Sequence, residues 1–153
     1  MKEGEVFMTK GEIAKQNFLT GMNCAQAVVL AFKDELNIPY GQLKKLSIGF
    51  GGGVGRQRQV CGAVLGLTMV LSYLKSNGED KLSIYKTIQD ACAEVKEKLG
   101  SIVCAELLEG KTSSINGYVP EERTKEYYQK RPCTEIVEVV ANITDKYLNL
   151  LTN

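Results

Sequence analysis

The sequence predicts an all-α fold: a single-domain helical bundle of about five to seven helices over residues 1–153, with a glycine-rich loop before the central helix. Three observations carry that reading. Apolar residues recur at three- and four-residue steps along most of the chain. Clean period-two alternation over a strand length is absent. No repeat, low-complexity tract or linker divides the 153 residues, a length that suits one core.

The elements follow in order. Thr9, with Glu12 three residues on, has capping-box spacing and opens a first helix that ends around Gly21. Asn23 with Gln26 repeats the signal, and AQAVVLAFKDEL carries the second helix to Asn37 and Pro39. That segment is apolar on most sides, so it belongs at the centre of the bundle. Tyr40 to Ile48 forms a short helix before the glycines, and Gln59 to Leu74 the next, stopped by Ser76-Asn77-Gly78. From Asp80 to Leu99 the residues Leu82, Tyr85, Ile88, Cys92, Val95 and Leu99 make one apolar stripe, with Gly100 as the stop. A short helix spans Ser101 to Glu109, and Lys111 to Val119 reads as a loop. Pro120, followed by Glu121 and Glu122, suits a helix start. The last helix begins at Pro132 and sets Ile136, Val140, Ile143, Tyr147 and Leu150 on one face.

Composition removes several function classes. Lys and Arg total 19 against 18 Asp and Glu, with no basic block, so nucleic acid is not an expected partner. The N-terminal stretch lacks the apolar core of a secretory signal. The longest mostly apolar run, Val60 to Leu74, is shorter than the roughly 20 residues that cross a bilayer. The expectation is a soluble cytoplasmic protein without membrane insertion, its oligomeric state open and a homodimer allowed. With no histidine, Ser-His and Cys-His pairs and mixed Cys/His zinc patterns are excluded. Five cysteines remain, at 24, 61, 92, 104 and 133, and in a reducing compartment they point to redox or metal chemistry.

Four of the five fall where helices begin. Cys24 follows the Asn23 cap, Cys61 follows the glycine loop, Cys104 opens CAELL, and Cys133 follows Pro132. A helix N-terminus presents unpaired N–H groups and partial positive charge, which favours the thiolate that acts as nucleophile or ligand. Each of the four has a small or short neighbour: Ala25, Gly62, Ala105, Thr134. Cys92 lies mid-helix on an apolar face and reads as core. There is no C-x-x-C, and the long intervals match no local zinc or ferredoxin spacing, so a shared site requires convergence of helix ends.

The stretch GFGGGVGRQRQVCGAVLG, residues 49–66, contains neither the dinucleotide fingerprint nor a Walker loop. Gly51, Gly52 and Gly53, with Arg56 and Arg58, make a candidate anion site leading into a helix, and the arginines would favour a Cys61 thiolate. The plainer alternative is a connector with two solvated arginines. Gly62 and Gly66 share one helix face, and each is unfavourable there by about 1 kcal/mol relative to alanine, which signals close approach by a neighbouring helix.

Cys24, the glycine-rich approach to Cys61-Gly62-Ala63-Val64-Leu65-Gly66, then Cys104 and Cys133 together resemble the C_GCAxxG_C_C family of redox-active proteins, over roughly residues 20 to 145. The family label writes Gly-Cys-Ala where this chain reads Cys-Gly-Ala; the motif is also written CGAxxG, which this chain matches. The resemblance maps the recurring cysteines onto Cys24, Cys61, Cys104 and Cys133 and leaves Cys92 outside. It implies a redox role, inferred in that family from the cysteines. A related segment accompanies multihaem cytochromes with an iron-sulfur centre; this chain has no CxxCH haem attachment site.

Three functional readings follow. In the first, two or four of the cysteines cycle between thiol and disulfide with no required cofactor, exchanging with a redox partner protein or a small thiol or disulfide, and Cys61 attacks. In the second, Cys24, Cys61, Cys104 and Cys133 ligate an iron-sulfur cluster or zinc. In the third, the chain is a structural or interaction module whose cysteines are packing. The pairing of the four is open among three connectivities.

Overall fold

The computed structural model describes residues 7–109 and 117–151, which fold into nine α-helices and one 3-10 turn. No strand occurs among the described residues, and the all-α, single-domain reading stands. The helix count exceeds the expected five to seven because short helices form at the connections. The elements are α1 (Lys10–Leu19), α2 (Cys24–Ala31), α3 (Lys33–Leu36), α4 (Tyr40–Ser47), the 3-10 turn Ile48–Phe50, α5 (Gly62–Lys75), α6 (Lys81–Leu99), α7 (Cys104–Leu108), α8 (Lys125–Lys130) and α9 (Cys133–Asn149).

Both expected capping boxes are present. Thr9 accepts from the Glu12 amide while Glu12 accepts from the Thr9 amide, and Asn23 and Gln26 do the same for α2. Every residue of α2 after Cys24 is buried, as its all-round apolarity requires. Around it pack α1, α4 and α5, with α9 closing the bundle against α1 and α5. The helices α2 and α5 meet at Gly66. A Cβ there would lie 3.1 Å from the Ala25 carbonyl oxygen and 3.1 Å from Val28 Cβ, so a side chain would press the two helices apart by a few tenths of an ångström.

Three expectations need correction. Pro120 does not start a helix: residues 118–124 are irregular, and α8 begins at Lys125 behind Thr124, whose side chain accepts from the Tyr127 amide. The stripe on α6 is helical but only Ala91 and Val95 are buried, and Leu82 is 89% exposed. The cause is length. Helix α9 ends at Asn149, with Tyr147 bonded to Asp90 and Glu94, so the first turns of α6 extend past their partner. For the same reason Leu150 lies beyond α9 and is half-exposed. The Lys111–Val119 loop lies outside the described residues up to position 116.

Candidate functional site

Cys24, Cys104 and Cys133 are each the first residue of a helix, and Cys61 is the cap residue before α5. All four line one cavity of about 440 Å³, at the end of the bundle where these helices start. The convergence has backbone causes. Val60 and Val103 form an isolated antiparallel bridge, with the Cys61 amide donating to Ile102 O at 2.7 Å and the Cys104 amide to Gln59 O at 2.7 Å. This bridge holds the starts of α5 and α7 together. The side-chain amide of Asn23 donates to Ile48 O at 2.8 Å, which ties the start of α2 to the turn before the glycines. Cys92 lies outside the cavity, half-buried on α6 against the edge of the core.

The glycine loop is wound left-handed. Gly52, Gly53, Val54, Gly55 and Arg56 have φ of 66°, 74°, 65°, 57° and 61° in succession, and Arg58 has 61°. For a β-branched residue such as Val54 this conformation is strained. The winding is closed internally: the amides of Val54, Gly55, Arg56, Arg58 and Gln59 donate to the carbonyls of Phe50, Gly49, Gly51, Gly52 and Gly53. Those amides are therefore spent within the loop, and positive charge reaches the cavity on side chains instead. Of the expected anion-site residues, Gly51, Gly52, Arg56 and Arg58 line the cavity, joined by Gly55. Gly53 is not among the lining residues, and a Cβ on it would stand 2.6 Å from the Gln59 amide nitrogen and 2.8 Å from Cys104 Cβ.

Arg58 is buried, with Nη1 3.6 Å from Cys104 Sγ. Arg56 reaches across the cavity, donating to Gly117 O at 2.9 Å and to Val119 O, with Glu121 at 3.7 Å. Glu121 also pairs with Arg131, and Arg123 donates to Phe18 O and Met22 O at the end of α1. Residues 117–123 are thus strapped over the cavity by three guanidinium groups. Tyr127 lies between two of them, 4.9 Å from Arg123 and 5.0 Å from Arg131, and burial pushes its hydroxyl up to about 12.

The sulfurs differ in protonation. The Cys24 thiol and the Cys133 sulfur are hydrogen-bonded to each other. Cys24 keeps the proton: this bond first, then burial, hold its thiol well above the usual range. Cys133 is lowered to about 7, by the Cys24 hydrogen bond first and then by the charge and hydrogen bond of Arg131, against the opposing effect of burial. Cys61 is pushed up to about 12 by burial, which outweighs the nearby amides of Ala63 and Val64. Of these three sulfurs Cys133 is the one lowered from its ordinary value, while Cys24 and Cys61 are raised. Among the described residues, no three His, Cys, Asp or Glu side chains are grouped closely enough to hold a metal ion as they stand.

Sequence reasoning missed Glu121, Arg123, Tyr127 and Arg131. One signal was present, since Arg131 precedes Cys133 by two residues, within reach of a thiol at a helix start.

The chain matches, over residues 22–147, the family described as "Putative redox-active protein (C_GCAxxG_C_C)". An uncharacterized protein of Archaeoglobus fulgidus is 28% identical over 134 residues, covering 80% of this chain and 82% of the relative. No solved structure matches. No helix among the described residues is long and apolar enough to cross a membrane.

Proposed function

The chain belongs to the C_GCAxxG_C_C family, and from that premise we propose that it is a cytoplasmic thiol-disulfide redox protein in which Cys133 attacks and Cys24 resolves. The observation that carries this reading is the convergence of Cys24 and Cys133, the first residues of α2 and α9, on one cavity that Arg131 also lines. Their opposite shifts give one sulfur the negative charge and its neighbour the proton, the asymmetry that exchange requires.

The Cys133 thiolate attacks one sulfur of a disulfide RS–SR, forming a Cys133–S–SR bond and releasing RS⁻, which takes a proton from water. Cys24 then loses its proton and attacks Cys133 Sγ, and the second RS⁻ leaves and is protonated. Two electrons pass from the cysteine pair to the substrate, giving two RSH and a Cys24–Cys133 disulfide. A dithiol donor restores the pair by the reverse steps. Cys61 and Cys104, tied through the Val60–Val103 bridge, supply a second pair with which the first can exchange. Mild oxidation of the reduced protein followed by alkylation and mass mapping tests this: the expected product is a Cys24–Cys133 disulfide, and the mechanism is abandoned if no disulfide joins any of the four.

The second reading is a four-thiolate iron-sulfur or zinc site, favoured by the convergence of four cysteines on one cavity. It requires the sulfurs to draw closer than they stand. Anaerobic purification with a visible spectrum and metal analysis separates the two readings, a colourless, metal-free protein counting against this one.

A further inference from the structure

We infer that the cavity takes a small disulfide carrying anionic groups, whose charge is held by Arg56, Arg58 and Arg131 beside the cysteines. The inference rests on the exchange reading above and adds the substrate class to it.

Charge is the first argument. Among the described residues, the cavity is lined by Arg56, Arg58, Arg123 and Arg131 and by one acidic side chain, that of Glu121. Arg123 is accounted for by the carbonyls at the end of α1. Glu121 is shared between Arg56 and Arg131, so one carboxylate answers two cations. The Arg131 side chain is 6% exposed, and its Nε is buried without a hydrogen-bond acceptor among the described residues. Buried cations are unfavourable unless paired, and a low-dielectric cleft of one sign concentrates the opposite ion. The planar fork of arginine matches carboxylate, sulfonate and phosphate groups.

Shape is the second. The remaining wall includes Phe18, Ile48, Leu107, Leu108 and Ile136, suited to a short carbon skeleton, and about 440 Å³ lies within the range of small-molecule sites. Arg58 next to Cys104 and Arg131 next to Cys133 put the charge-holding groups adjacent to sulfur, so a bound anion brings its own disulfide to the thiols. The disulfide is the oxidant, and the products are two anionic thiols, as balanced above.

The full-length reduced protein is mixed by stopped flow with 3,3′-dithiodipropionate, neutral bis(2-hydroxyethyl) disulfide or cationic cystamine. Each rate is divided by that of the same disulfide with a neutral free thiol. The expected normalised order is anion, neutral, cation, with about tenfold between the first two that shrinks as salt is raised toward 0.5 M. Arg58→Gln and Arg131→Gln each reduce the anion-to-neutral ratio, in which any change of Cys133 thiolate fraction cancels. Arg131→Lys, which keeps the charge, retains most of it. Equal normalised rates, or a preference for cystamine, overturn the anion assignment alone. No oxidation by any of the three overturns the exchange reading itself.

Discussion

Cys61 and Cys133 each stand at the start of a long helix and line the same cavity, yet burial pushes one thiol up to about 12 while the other is brought down to about 7. Their exposures, 4% and 7%, are too alike to explain it. The difference lies in what faces each sulfur. Cys61 has the amides of Ala63 and Val64, the ordinary endowment of a helix start, and these do not offset desolvation. Cys133 has in addition a thiol donor from Cys24 and the guanidinium of Arg131. A helix start alone is therefore insufficient to activate a buried cysteine here; a donor and a cation complete it.

The strongest way to break the comparison is to exchange its members. Cys133→Ser removes rapid modification by iodoacetamide near neutral pH, a fall of more than about a hundredfold, whereas Cys61→Ser leaves the rate within about twofold. Mass-mapped alkylation reads both, and equal losses would overturn the assignment of Cys133. Next in size, Arg131→Gln returns Cys133 toward its ordinary value and slows its alkylation at pH 7 by about tenfold, with Cys61 unchanged. The pH profile should show the same contrast: Cys133 reactivity rises from about a tenth of its maximum at pH 6 to about nine-tenths at pH 8. Stability follows with opposite signs. Cys133, depressed in the folded state, loses its contribution as pH falls through about 7. Cys61, raised in the folded state, stabilises below about 9 and progressively less as pH rises toward about 12. Thermal melts should accordingly rise from about pH 7 to about 9 and fall above it. The smallest effects lie in the loop. Gly53→Ala meets both a positive φ and the Cys104 side chain, and should lower stability by about 1–3 kcal/mol; Val54→Gly relieves strain at φ 65° and should raise it by up to about 1 kcal/mol.

Much of this wall was legible beforehand, because caps are local. Asn23 with Gln26, Pro132 before Cys133, and the glycines before Cys61 mark helix starts within a few residues of chain. Gly66 announced a close crossing, and α2 is the partner. What was not legible depended on packing between distant segments. That Arg58 reaches Cys104, 46 positions away, goes with the left-handed winding of the loop. The strap at 117–123 carries no periodicity of its own and is held by Arg56, Arg123 and Arg131, so Pro120 looked like a helix start in the absence of those partners. The exposed turns of α6 were hidden because an apolar stripe does not state how long its partner is.

The contact between Cys24 and Cys133 also bears on how the chain is tethered. A bond there would close a loop of about 110 residues. Loop-closure entropy for such a span is on the order of 4–5 kcal/mol against the unfolded chain. Electron withdrawal from the cavity would therefore be felt by the whole molecule as resistance to unfolding, and reduction as its release.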